Sequence, residues 1–196
     1  MPTRMQPPVA RSAIGAPSRF AAVAVGSVVG VGLGWWCRAF AGSNSISGVL
    51  ANLGAPWVVA AFVTGAISIG HGQRAGSTRS AVGAALAGAL GGAACLVVAT
   101  LVYYGPARTG SFDFHGAAAR TAFWTTASVA VGLVFGAAGS LWRASPCGWV
   151  RAGCLVVLGT VIAGEAGFLT VAGATEYDAF TRDVLGAVGR AVRAHV

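Results

Sequence analysis

The sequence predicts an all-α fold, a polytopic transmembrane helical bundle of about five spans followed by a C-terminal amphipathic helix. Of its 196 residues, 56% are hydrophobic and only 9% are charged, whereas soluble domains carry about a quarter charged residues. Apolar runs near the ~20 residues that cross a bilayer as a helix recur along the chain. The basic residues are all arginines and stand singly at the ends of these runs, as the flanks of membrane spans do.

The N-terminal part of the chain predicts a tail and a first span. Residues 1–19 contain three arginines and no acid, which predicts a disordered cytoplasmic tail. The apolar run at 20–41 is longer than the core of a signal peptide, so we expect an uncleaved first span. Glycines recur in it at every fourth position and predict close approach of a neighbouring helix. They are Gly26, Gly30 and Gly34.

The second predicted span, residues 49–70, is interrupted near its start by Gly54 and Pro56. Proline lacks an amide proton, so a helix running unbroken through this point is not expected. Pro56 instead fits the first turn of a helix, with Trp57 at the membrane interface. Two interpretations stay open. The chain could enter the second span through a broken or re-entrant segment, of the kind that lines transporter sites, or through a polar loop followed by an ordinary kinked helix.

Three further spans are expected near residues 81–104, 117–142 and 149–172, so that the bundle occupies residues 20–172. Each carries small residues at spacings of three or four, which favours close packing. The segment at 173–196 is too polar to span and has one apolar face, which predicts an interfacial amphipathic helix. A cap over the bundle or a degraded sixth span remains an alternative.

Glu165 is the sharpest functional clue, because an ionisable group inside a span needs a partner. It follows Trp149 by about 24 Å of helix. The arginine distribution favours a cytoplasmic N-terminus and places Glu165 toward the outer face. We therefore predict an outward-facing polar pocket in which Glu165 pairs with Arg38 or Arg120, the alternative being a structural ion pair without a ligand. The candidate lining residues are Glu165, Arg38, Asn44, Asn52, Tyr103, Tyr104, Arg120 and Trp124.

Several kinds of site are not expected. The scattered arginines form no basic cluster, which excludes a nucleic-acid surface. Asp113 and His115 cannot close a metal site by themselves, and the four cysteines show no metal-binding spacing. No cofactor motif, paired acid or nucleophile–base pair is present, so we predict no catalytic residue, no metal and no cofactor.

Four stretches together carry a resemblance to a known family. They are ANLGAPWVVAAFVTGA (51–66), LVYYG (101–105), GLVFGAAGSLWR (132–143) and AGEAG (163–167). Their order and spacing resemble a family of small actinobacterial multi-pass membrane proteins that carries a domain-of-unknown-function label. The resemblance covers residues 20–172 and implies a helical bundle in the bacterial cell membrane without a known activity. Members of that family can continue into a further span, unlike the polar segment that ends this chain.

Two functional hypotheses follow. The first is a small-solute binding or transport-type component whose pocket surrounds Glu165. The second is a structural or accessory subunit, without a ligand of its own, whose small-residue faces pack against a second copy or another membrane protein. An intramembrane enzyme is the weakest alternative. The bilayer is the one partner expected under either hypothesis, and nucleic acid is not a partner.

Overall fold

The computed structural model describes residues 19–40, 53–69, 78–105 and 114–168, with side chains from residue 80 in the third range and from residue 121 in the fourth. The helices in these ranges confirm the predicted all-α bundle. The predicted tail, apart from Arg19, and the predicted amphipathic helix lie outside the described residues. The helices are α1 (Arg19–Phe40), α2 (Ala55–Ile67), α3 (Thr78–Tyr104), α4 (Phe114–Ala144) and α5 (Gly148–Phe168).

Four of the five described helices, α1, α3, α4 and α5, are long and apolar enough to cross a membrane. The protein is therefore a multi-pass membrane protein. The remaining helix, α2, has 13 residues and is about 20 Å long, which is less than the ~30 Å hydrocarbon layer. It occupies part of the predicted second span 49–70, and its first turn contains Pro56.

The order of contacts shows that α1 and α3 run in the same direction. Gly26 lies against Gly91, and two turns later Gly34 lies against Ala99. Helix α4 runs the opposite way to α3, since Gly132 packs on Gly92 and Ser140 on Gly88. The chain therefore passes up and down through the bundle in sequence order.

The bundle has two ends that differ in charge. One end contains the starts of α1, α3 and α5 with Arg19, Arg143 and Arg151, and we name it the arginine end. A small cluster toward this end joins Ile69, two residues after α2, to Ala84 of α3 and Ala144 of α4. The other end contains the ends of α1 and α3, the start of α2 and Glu165 of α5, and we name it the glutamate end.

Glycine lets α2, α3 and α4 approach almost backbone to backbone. A Cβ added to Gly65 of α2 would clash with the backbone of Gly136 in α4, and one added to Gly139 would clash with the carbonyl of Phe62. Gly136 in turn packs on Gly88 of α3. Side chains add a buried polar link between α3 and α4, because the hydroxyl oxygens of Thr100 and Ser128 lie 2.7 Å apart. These contacts build a rigid core.

Candidate functional site

The start of α2 at the glutamate end is shaped by Gly54 and Pro56. The carbonyl of Gly54 accepts hydrogen bonds from the amides of Trp57 and Val58, at 3.0 and 3.1 Å, and so opens the helix. The amides that precede the first complete turn have no acceptor within their own helix. Those of Gly54 and Ala55 therefore point outward at the positive end of the α2 dipole.

The carboxylate of Glu165 occupies this position. The amide of Gly54 donates to Oε1 at 2.5 Å, and the amide of Ala55 donates to Oε2 at 2.6 Å. A carboxylate at a helix N-terminus is stabilised by the helix dipole and by charge-assisted hydrogen bonds. A Cβ on Gly54 would lie 3.3 Å from Oε1, so glycine at this position leaves room for the carboxylate. We name this arrangement the α2–Glu165 junction.

Helix α5 presents Glu165 on a narrow stripe that faces the bundle. Cys154 and Leu158, which are separated by one turn, pack against the core cluster around Phe62. Glu165 follows Leu158 by about two turns and therefore shares their face. From Gly153 to Phe168 the other residues of α5 are exposed, including Val156 at 65%. The polar junction is thus a main attachment of the far half of α5 to the rest of the bundle.

Aromatic rings continue the site from α2 onto α3. The Trp57 and Tyr103 rings meet edge to face with centroids 6.0 Å apart, and Tyr103 meets Tyr104 in the same way at 4.7 Å. The Trp57 side chain also hydrogen-bonds to the Cys37 sulfur on α1. These contacts place the junction level with the last residues of α1 and α3, where Tyr and Trp are favoured at a membrane interface.

Arg38 supplies a positive charge at this end. Its Nη1 donates to the carbonyl of Val102 at 3.4 Å, one residue before Tyr103. The structure therefore brings Arg38, Tyr103, Tyr104 and Glu165 to one end of the bundle. The predicted pairing of Glu165 with Arg38 or Arg120 stays a prediction, and the two α2 amides are partners of the carboxylate in the structure.

Of the four other predicted lining residues, the structure describes the side chain of Trp124 alone. Trp124 lies on α4, where its ring packs against Phe123 with centroids 5.1 Å apart. Asn44 and Asn52 lie outside the described residues, as does the side chain of Arg120. Within the described ranges, no three His, Cys, Asp or Glu residues form a group that could hold a metal ion.

Sequence reasoning missed the backbone amides of Gly54 and Ala55 as the groups that meet Glu165. The signal was present, since Gly54 and Pro56 marked the start of a helix, and helix starts expose unpaired amides. What the sequence did not supply was the spatial link between residues 54 and 165. No protein-family model, curated protein or solved structure matches the chain. The resemblance to the actinobacterial family therefore remains a prediction.

Proposed function

We propose that this multi-pass membrane protein is a small-solute binding or transport-type component, and that its site is the α2–Glu165 junction. The observation that carries the proposal is the carboxylate of a span-length helix lying on the N-terminus of a short one. Interrupted helices whose termini meet polar groups form the solute sites of many transporters. The site would face outward if the N-terminus is cytoplasmic, as the arginine distribution favours.

The chemistry of the junction fits a small polar solute. Glu165 supplies negative charge, the α2 terminus and Arg38 supply positive charge, and Trp57 with Tyr103 supplies aromatic edges. Because Glu165 bridges α5 to α2, a solute that competes for the carboxylate or the amides would loosen α5 at this end. That coupling is what a transport-type component needs.

Native mass spectrometry of protein extracted gently from its own membranes tests the proposal. We expect a reproducible small-molecule adduct that is lost in Glu165→Gln, a variant of the same shape without the charge. Thr160→Val serves as the matched control, because its hydroxyl lies on an exposed part of α5 and donates only to Val156 of its own helix. Thermal unfolding of each variant shows whether the bundle is intact. An adduct that persists in Glu165→Gln, or no adduct in the wild type, would overturn the proposal.

A structural or accessory subunit is the second candidate, and the outer face of α5 favours it. Gly159, Ala163 and Gly167 lie about opposite the stripe that faces the bundle. No atom lies within 4 Å of where a Cβ would stand on either glycine. A face of small residues lets another membrane helix approach closely. Under this hypothesis α5 is the docking helix.

Substitution of that face distinguishes the second candidate from the first. We expect Gly159→Ile to abolish co-purification of a stoichiometric membrane partner, or self-association, while the unfolding temperature stays unchanged. Val157→Ile, on a different side of the same helix, should preserve the association. A wild-type protein that is monomeric and without a partner after gentle extraction would contradict the accessory role.

A further inference from the structure

At the arginine end, a cavity of about 460 Å³ opens where α4 passes into α5. The connection is only three residues long, Ser145 to Cys147, and it is held in a tight turn. The amide of Ser145 donates to the carbonyl of Leu141, and the amide of Cys147 donates to the Ser145 hydroxyl at 3.1 Å. The cavity is lined by Trp142, Arg143, Ser145, Pro146 and Arg151. We name it the arginine pocket.

The charge in this pocket is entirely positive. Two arginines line it and no acidic residue does. Neither guanidinium makes an ion pair with any residue in the described ranges. The start of α5 lies beside the pocket and adds the positive end of a 21-residue helix. Positive groups without acidic partners, converging on one concavity, favour an anionic ligand.

Packing orders the wall that carries these charges. The Arg151 guanidinium lies over the Trp142 ring, with its carbon 5.8 Å from the ring centroid, as in a cation–π contact. A second aromatic neighbour of Trp142 is Phe62 of α2, whose ring centroid is also 5.8 Å away. Trp142 therefore connects the pocket to the rigid core, and Arg143 beside it is half-buried. Fixed donors of this kind lose little entropy when a ligand binds.

The position of the pocket points to a lipid. It lies at the ends of two span-length helices, near Trp149, whose side chain is 88% exposed as expected of a residue at the headgroup level. Exposed apolar side chains of α5, among them Val150 and Leu155, continue from it along the helix. Acyl chains would pack against that surface.

We propose that the arginine pocket binds the phosphate of an anionic phospholipid headgroup, with Arg143 and Arg151 as the phosphate ligands and Ser145 as an additional donor. Guanidinium groups suit this role because their planar donor array matches phosphate oxygens. The site is separate from the α2–Glu165 junction, which lies at the opposite end of the bundle. Its test is therefore independent of the proposed function.

Titration with phosphatidylglycerol in detergent, followed by native mass spectrometry, measures the affinity directly. We expect one tightly bound phosphatidylglycerol per chain and much weaker binding of phosphatidylcholine. Arg143→Gln and Arg151→Gln should each weaken phosphatidylglycerol binding about fivefold. Arg19→Gln removes the same charge at the same end without touching the pocket, and it should leave the affinity unchanged.

Three outcomes would overturn this proposal. An equal loss of affinity in Arg19→Gln would show general electrostatic attraction instead of a site. Equal binding of phosphatidylcholine would show that the anionic headgroup is not recognised. Displacement of bound phosphatidylglycerol by inorganic phosphate would show a site for the free ion. Arg151→Lys keeps the charge and serves as a control for misfolding of Arg151→Gln. It should bind phosphatidylglycerol more tightly than Arg151→Gln.

Discussion

The helical glycines of this molecule lie in two kinds of surroundings, against a neighbouring helix in one region and in open space in the other. Most helical glycines of α1 to α4 lie where an added Cβ would press on a neighbouring helix, as Gly136 does against Gly88. In α5, by contrast, an added Cβ on any of the described glycines would meet nothing within 4 Å. The small-residue spacing is similar in both regions. Spacing alone therefore indicates a surface suited to close packing, and only the structure shows whether the chain itself fills it.

The attachments of the two regions differ in the same way. Helices α2, α3 and α4 are held by backbone contacts along their length. Helix α5 is held by Arg151 over the Trp142 ring of α4, by Cys154 and Leu158, and by Glu165 near its far end. Loss of a single contact should therefore disorder α5 more than the other helices. An added methyl group should instead destabilise α1 to α4 more than α5.

The largest expected effect is from adding one methyl group to the core. Gly139→Ala would drive its Cβ into the carbonyl of Phe62 and force α2 and α4 apart. We expect a loss of unfolding free energy of about 2–3 kcal/mol, measured by denaturant unfolding in micelles with tryptophan fluorescence.

The matched glycine-to-alanine substitution in α5 should not lower the unfolding free energy. Gly159→Ala meets no neighbour, and alanine favours a helix over glycine by up to about 1 kcal/mol. The unfolding free energy should be unchanged or slightly higher. Comparable losses in Gly139→Ala and Gly159→Ala would remove the distinction between the two regions.

The next largest effect concerns the polar attachment of α5 at Glu165. Glu165→Ala leaves the amides of Gly54 and Ala55 without the carboxylate they donate to. Removing such a partner costs about 1–3 kcal/mol. Hydrogen–deuterium exchange should rise at the start of α2 and along the far half of α5, while α3 keeps its protection. Unchanged exchange at the start of α2 would show that the carboxylate is not the cap.

The smallest effect is expected for the hydroxyl pair in the core. Thr100 and Ser128 lie 2.7 Å apart between α3 and α4, and interhelical hydrogen bonds in membrane proteins average about 0.6 kcal/mol. A double-mutant cycle with Thr100→Val and Ser128→Ala should give a coupling free energy of that size. A coupling free energy larger than the loss of unfolding free energy in Glu165→Ala would mean that side-chain hydrogen bonds, and not glycine packing, dominate the core.

Much of the fold could be predicted from the sequence because its signals are local. The length of an apolar run fixes a helix, so the third predicted span, 81–104, ends at the residue where α3 ends, Tyr104. The four-residue spacing of Gly26, Gly30 and Gly34 marked the face of α1 that packs on α3. Gly54 and Pro56 marked the start of α2.

The site could be predicted only in part, because it depends on pairs that are distant in the chain. The sequence indicated that Glu165 needs a polar partner, and it placed Tyr103 and Arg38 at the same end of the bundle. It favoured an arginine as that partner, since side-chain charges are visible in a sequence. Backbone amides are present at every residue, and only the packing of α2 against α5 singles out those of Gly54 and Ala55.

The capping of α2 by Glu165 sets an order of events during synthesis. The amide of Ala55 and its carboxylate acceptor are separated by 110 residues, which a ribosome adds in about 5–20 s. During that interval the residues of α2 have been added to the chain while the carboxylate that caps the helix does not yet exist. Water or the membrane insertion machinery must solvate the start of α2 until then. Helix α5 therefore supplies the cap of the earlier helix α2. A chain that stalls before residue 165 lacks this cap.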